Sequence, residues 1–191
     1  MGSYELTDNE GTLLGLVVRA EPITAYQIAQ VYEQSPVSNF NTSKGKIYPM
    51  IRRLKERGLI EARAVKGDAR GTELLTATAA GREATRAWSL EIRPTHLLLE
   101  DPMRTKIQSF DLLTREERIE WCALAKALLA DRLRQVENYR STVEVPFQEF
   151  VHDGAVSAIK DRIAWIDRVL ANLVLRGRDS IAPPKAWARK K

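Results

Sequence analysis

Cysteine and histidine are scarce: among 191 residues there are one cysteine, Cys122, and two histidines, His96 and His152. A single thiol excludes an internal disulfide framework and a cysteine-based metal cluster, and it fits a reducing compartment. With two distant imidazoles, a zinc or transition-metal site would have to rest on carboxylates, so neither metal nor cofactor is expected. No apolar run approaches the roughly 18 residues of a membrane-spanning helix. The polar, acidic opening MGSYELTDNE reverses the basic-then-apolar layout of a signal peptide. The expectation is a cytoplasmic protein without a membrane partner. There is also no phosphate-cradling glycine loop, no Gly-x-Ser-x-Gly elbow and no metal-ligand pair at helical spacing, which argues against an enzyme.

What is present is an ordinary globular composition, 44% hydrophobic and 29% charged, that can bury a core. The net charge is +5, and it is not evenly spread. Between residues 42 and 70 nine cations (Lys44, Lys46, Arg52, Arg53, Lys55, Arg57, Arg63, Lys66, Arg70) face three anions (Glu56, Glu61, Asp68). That window alone is +6, so the remainder sums to −1. Positive charge focused in one short segment is the footprint of a nucleic-acid-binding face, whereas dispersed charge indicates only solubility.

The periodicity places this charge on definite elements. Thr7 with Glu10 and Thr24 with Gln27 have capping-box spacing ahead of the apolar runs LLGLVV and AYQIAQVYEQ, which predicts two helices. A turn-rich segment, SPVSNFNTS, separates them from SKGKIYPMIRRLKERG, with Thr42 or Ser43 as N-cap. There Ile47, Met50, Ile51 and Leu54 fall at i, i+3, i+4 and i+7 and form one core-facing stripe. Pro49 lacks an N–H and crowds the carbonyl four residues back, but that residue is Gly45, so the helix is kept with a local bend. Gly58 is a credible helix stop. LIEARAVK and TELLTA, joined by the tip GDARG, read as a β-hairpin. Three helices and a hairpin make a winged helix-turn-helix.

Beyond it a helix from Thr78 should stop before Pro94. Residues 94 to 113 read as a connector with one short helix around RTKIQSF. A long helix over about Arg115 to Tyr139 follows. In the last helix Val156, Ile159, Ile163, Ile166, Leu170 and Leu173 alternate by three and four residues, a coiled-coil seam that needs a partner helix. The fold class is therefore mainly α: a winged helix-turn-helix with a two-stranded wing over 1–92, an all-α dimerisation or effector domain over 93–180, and a basic tail over 181–191.

A major groove about 12 Å wide admits one helix bearing polar side chains on the face away from its core. In the third helix Lys44, Tyr48 and Arg52, four residues apart, line one flank of the core stripe, and Lys46 and Arg53 lie on the other. Ser43 at the helix start can hold a phosphate through free N–H groups. Lys66 and Arg70 flank the hairpin tip, where an arginine can enter a minor groove or hold the backbone. Thr24 and Tyr26, at the start of the second helix, complete the DNA-contacting set.

The run GKIYPMIRRLKERGLIEARAVKGDARGTELLTATAAGRE resembles the signature of PadR-type transcriptional regulators: a small residue (Gly45), Tyr48-Pro49, an apolar helix (Leu54), Gly58-Leu59-Ile60, a wing from Gly67 to Gly71, and a Thr-x-x-Gly turn (Thr78, Gly81). Ala25-Tyr26-Gln27-Ile28 is similar to the family's small-Tyr-polar-Ile step. The resemblance extends into PMRTKIQSFDLLTREER and IAWIDRVLANL, as in the longer subgroup with a helical C-terminal half. Ala25 stands where the family commonly has glycine, and Leu75 and Ala77 where an aromatic and a leucine are usual.

The resemblance implies a homodimeric repressor of double-stranded, palindromic operators, relieved by a small aromatic ligand, phenolic-acid-like or drug-like. An aromatic carboxylate wants a cation and stacking rings, for which Arg104, Lys106, Trp121, Tyr139 and His152 are the candidates. Dimerisation falls to Ile159, Ile163, Ile166, Leu170 and Leu173. Two alternatives remain open: a dimeric winged-helix scaffold for protein partners, and a DNA-binding regulator with no effector.

Overall fold

The computed structural model describes residues 5–36, 44–65, 71–98, 100–139 and 146–176. Ser43, Lys66, Arg70 and the tail over 181–191 lie outside the described residues, and of Lys44 only its place at a helix start is described. The chain divides into two compact units, one within Met1–His96 and Tyr139–Val151, the other within Leu97–Asn138 and His152–Lys191.

In the first unit, α1 (Asp8–Ala20) begins where the Thr7 hydroxyl accepts the Glu10 N–H at 3.3 Å while the Glu10 carboxylate accepts the Thr7 N–H at 3.2 Å. The reciprocal box satisfies two backbone donors that a helix start otherwise leaves unpaired. Thr24 and Gln27 repeat the arrangement for α2 (Ala25–Gln34). The third helix, α3 (Lys44–Glu56), runs through Pro49 and lays Ile47, Met50, Ile51 and Leu54 into the core beside Leu13, Leu14, Val17 and Ile28. It ends in a Schellman motif: the Gly58 N–H donates to the Lys55 carbonyl at 2.9 Å and the Leu59 N–H to Leu54 at 2.9 Å. Gly58 takes a φ of 67°, which a side chain would strain.

β2 (Ile60–Ala64) and β3 (Glu73–Ala77) pair antiparallel from Ile60↔Ala77 to Ala64↔Glu73 without a bulge. Leu75, standing where an aromatic is usual, is 1% exposed on the central strand, so the smaller side chain leaves the register intact. The two-stranded wing expected from the sequence is present as β2 and β3, and a third, two-residue strand joins its sheet. β1 (Ile23–Thr24) pairs Ile23↔Leu75 and Thr24↔Leu74, giving the order β1-β3-β2. Two residues are too few to display strand alternation, so nothing in the sequence marked them.

Thr78 caps α4 (Ala79–Leu90) by accepting the Gly81 N–H at 3.0 Å, and its hydroxyl donates to the Gly58 carbonyl at 2.7 Å. The Thr-x-x-Gly turn thus fastens α4 to the end of α3. A Cβ on Gly81 would stand 2.1 Å from the Leu59 carbonyl oxygen.

In the second unit the connector is more helical than expected: α5 (Pro102–Lys106), capped by Asp101, runs into a 3-10 stretch over Ile107–Leu112. α6 (Arg115–Asn138) and α7 (Gln148–Arg176) then pack antiparallel. Lys126 meets Asp167 at 2.6 Å, Lys160 meets Glu137 at 3.4 Å, and Arg115 reaches the Val174 carbonyl at 3.2 Å. The seam of α7 finds its partner helix in α6: Ile159 and Ile166 are buried with Cys122, Ala125, Leu129 and Val136. Ile163, Leu170 and Leu173 are half-buried.

Two glycine substitutions separate propensity from packing. Alanine is about 1 kcal/mol better than glycine inside a helix, and Gly154 in α7 meets nothing within 4 Å. Gly154→Ala therefore raises the urea midpoint. At Gly81 the methyl would overlap a backbone carbonyl that cannot swing aside, and Gly81→Ala lowers the midpoint by about 1–3 kcal/mol of stability. A rise for Gly81→Ala contradicts the close contact.

Candidate nucleic-acid interface

The helix that carries the charge is built to present it. Burial of Ile47, Met50, Ile51 and Leu54 leaves the opposite side of α3 to solvent, and there Lys46, Tyr48 and Arg52 are exposed. Lys46 forms no ion pair among the described residues. Arg52 lies 3.7 Å from Glu56, both side chains largely in water, so that pair holds weakly and the guanidinium can turn to another anion. Tyr26 on α2 is also exposed and offers an aromatic ring with a hydroxyl. α2 packs against α3, as a helix-turn-helix requires.

Three other cations of the basic window are already engaged. Arg53, expected on the DNA-contacting flank, is turned instead toward α1, its Nε donating to the Glu10 carboxylate at 3.2 Å. Arg57 brings a second guanidinium to Glu10 at 3.7 Å. Lys55 joins α3 to the wing through Glu73 on β3 at 2.7 Å. Thr24 is occupied by its own capping box, its hydroxyl donating to the Gln27 side chain at 3.0 Å. The physical reason is common to all: each side chain already has a partner within the fold.

Glu10 is the one charged side chain in the buried core of the described residues, 2% exposed. Burial pushes its carboxyl up. The Thr7 backbone N–H, the Arg53 guanidinium and the Thr7 hydroxyl outweigh that effect and hold it below the ordinary glutamate range. A single buried carboxylate thus anchors the inner side of α3, while the outer side keeps its cations.

A further cation, not expected in the DNA-contacting set, faces outward. Arg63 is exposed on β2, pairs with no anion among the described residues, and stands on the strand face opposite Ala62. The alternation Ile60 inward, Glu61 outward, Ala62 inward, Arg63 outward carried that signal.

Of the candidate ligand residues, Arg104, Lys106, Trp121 and His152 fall in the second unit and Tyr139 in the first. Arg104 on α5 lines a hollow of about 510 Å3 with Leu98, Glu100, Asp101, Pro102 and Thr105. Lys106 is exposed at the end of the same helix. Trp121 packs edge-on against Phe110, ring centroids 5.2 Å apart, and Tyr139 and His152 are half-buried. α6 has a second apolar strip pointing away from the seam: Ala123, Leu124, Ala127 and Leu128 are all exposed. Among the described residues no group of three His, Cys, Asp or Glu side chains could hold a metal ion, and no helix is long and apolar enough to cross a membrane.

Comparison with known proteins bears on this geometry. The sequence profile of the Transcriptional regulator PadR-like family matches residues 13–87, which run from within α1 to within α4. Bacillus subtilis PadR, solved in complex with operator DNA, is similar with a TM-score of 0.73 and 19% identity, over 87% of this chain and 99% of that one. The same protein in complex with p-coumaric acid gives 0.70 and 19%, over 86% and 98%. A PadR-like transcriptional regulator from Bacillus cereus gives 0.69 and 18%, over 91% and 99%. No curated protein sequence matches the chain. The fold shared with these structures is a winged helix followed by a helical C-terminal region.

A carboxyl held below its ordinary value by native contacts stabilises the fold above its unfolded pKa, and that contribution is lost as pH falls through the lower, folded value. The melting temperature therefore drops on acidification past about 4.3, the ordinary glutamate value. Glu10→Gln lowers it at neutral pH and shrinks the gap to the wild type in acid; a gap that stays constant with pH contradicts the pairing.

Proposed function

We propose that this chain, whose residues 13–87 match the Transcriptional regulator PadR-like family, is a homodimeric repressor of palindromic operator DNA, relieved by a small aromatic effector. DNA binding belongs to residues 1–92 and dimerisation to 93–180. The observation that carries this reading is the two-sided character of α3, with its aliphatic stripe sealed in the core and Lys46, Tyr48 and Arg52 left in water. Lys46 and Arg52 have the chemistry to pair with guanine O6 and N7, and Tyr48 to meet a thymine methyl or a phosphate. Arg63 on β2, together with Lys66 and Arg70, would hold the flanking backbone.

The Bacillus subtilis PadR structures with operator DNA and with p-coumaric acid support both halves of the reading. For an effector carboxylate, Arg104 and Lys106 on α5 supply the cations. Dimerisation is supported by the outward strip of α6, because soluble monomers rarely leave contiguous large apolar side chains in water. Leu124 and Leu128 are 60% and 59% exposed, whereas Ile159 and Ile166 are used within their own chain. The dimer contact therefore centres on Leu124 and Leu128, with Ile163, Leu170 and Leu173 at the seam edge.

Selection of bound duplex from a random pool tests the DNA reading. The enriched site should be an inverted repeat with half-sites about 10 bp apart or a multiple of it. With about six phosphates neutralised per dimer, affinity should fall about a thousandfold between about 50 and about 200 mM salt. Lys46→Ala weakens operator binding by about 1–3 kcal/mol. Binding that ignores salt, or an enriched site with no symmetry, overturns the proposal and favours a protein-interaction scaffold. For the dimer, Leu124→Glu with Leu128→Glu yields folded monomers in sedimentation, while Ile166→Asp disrupts the fold itself; an intact dimer from the double variant contradicts the assignment.

A further inference from the structure

We propose that Glu10, a residue with no access to a duplex, is a positioning residue for DNA recognition: its buried carboxylate, gripping Arg53, fixes the rotation of α3 about its own axis. This rests on the DNA-binding reading above.

The aliphatic contacts beneath α3 cannot set that rotation sharply. Apolar burial is non-directional, and a helix seated on Ile47, Met50, Ile51 and Leu54 can roll by several degrees with little change in buried area. A charged hydrogen bond is directional and short. Arg53 follows Arg52 by one residue, about 100° around the helix, and Tyr48 stands four residues before Arg52 on the same flank. Fixing Arg53 on Glu10 at 3.2 Å therefore fixes the direction in which Arg52 and Tyr48 point. A helix surface lies about 5–6 Å from its axis, so a roll of about 10° carries a side chain by about 1 Å. That exceeds the tolerance of a base-edge hydrogen bond, whose useful range spans about half an ångström.

The anchor is itself held rigidly. The Glu10 carboxylate accepts the backbone N–H and the hydroxyl of Thr7, each at 3.2 Å, so the first turn of α1 orients it before Arg53 arrives. Arg57 stands 3.7 Å from the same carboxylate, one turn further along, and limits tilt as well as roll. The capping box recognisable in the sequence as a helix start thus has a second use: the carboxylate that closes it reaches across the core and aims another helix.

The test compares wild type, Glu10→Gln and Arg53→Gln on the selected operator and on random duplex of equal length, at several salt concentrations. Random duplex is held through phosphates and tolerates a small roll, whereas operator requires aligned base contacts. Each variant is expected to lose about tenfold in operator affinity, the size of one misaligned base contact, while random-duplex affinity and the salt slope stay at their wild-type values. Combining the two substitutions should cost no more than either alone, because both break the same contact. An operator-to-random ratio unchanged in both variants overturns the inference. So does a salt slope that falls by about two in Arg53→Gln, about one unit per protomer, which would make Arg53 a direct phosphate contact. Should Glu10→Gln fail to fold, Arg53→Gln carries the test, since its side chain is half in water. A wild-type protein that binds no duplex sinks the DNA-binding reading and this inference together; wild-type binding with unchanged ratios in the variants sinks the inference alone.

Discussion

The burial of one face of α3 is the constraint on which the rest of the first unit depends. Four aliphatic side chains, each 5% exposed or less, remove from water the stripe that would otherwise make this helix a soluble, featureless cation rod. Once that face is committed, the positions between the stripe residues must face outward, and the sequence fills them with Lys46, Tyr48 and Arg52. Helix ends are fixed as firmly as the face. The Schellman turn at Gly58 stops α3 and feeds Leu59 back into the core, and Thr78 ties the start of α4 to the same corner through the Gly58 carbonyl.

Charge is sorted by the same geometry. The basic window is rich enough to repel itself, and the fold relieves part of that repulsion by giving Arg53 and Arg57 to Glu10 and Lys55 to Glu73. These are fastenings between α3 and its neighbours α1 and β3. Lys46 and Arg63 receive no such partner among the described residues, and Arg52 has only a solvated one. A count of cations in sequence therefore overstates the surface charge, and the difference lies in contacts between residues 43 and 18 positions apart.

Local rules were readable wherever the interaction was local. The two capping boxes, the i, i+3, i+4, i+7 stripe, the Gly58 stop and the Thr78–Gly81 turn each involve residues within a few positions of one another, and each stands where the spacing put it. What escaped was non-local. β1 is two residues long and exists only because β3 offers an edge. Arg53 looked like its neighbour Arg52, and only the arrival of α1 with Glu10 separates a paired arginine from a solvated one. The seam in α7 correctly announced a partner helix, but periodicity cannot say whether the partner belongs to the same chain; here α6 supplies it. The PadR resemblance read from Gly45 to Gly81 lies inside the residues 13–87 that match the family, since those motifs are themselves local turns and caps.

The central claim is that the outward side of α3 is the surface that meets DNA, and lysine-reactivity footprinting tests it most directly. Acetylation of the intact protein, with and without saturating operator duplex, should show Lys46 strongly protected while Lys106 and Lys160, on the helical second unit, react at the same rate in both. Equal reactivity of Lys46 with and without duplex would contradict the account.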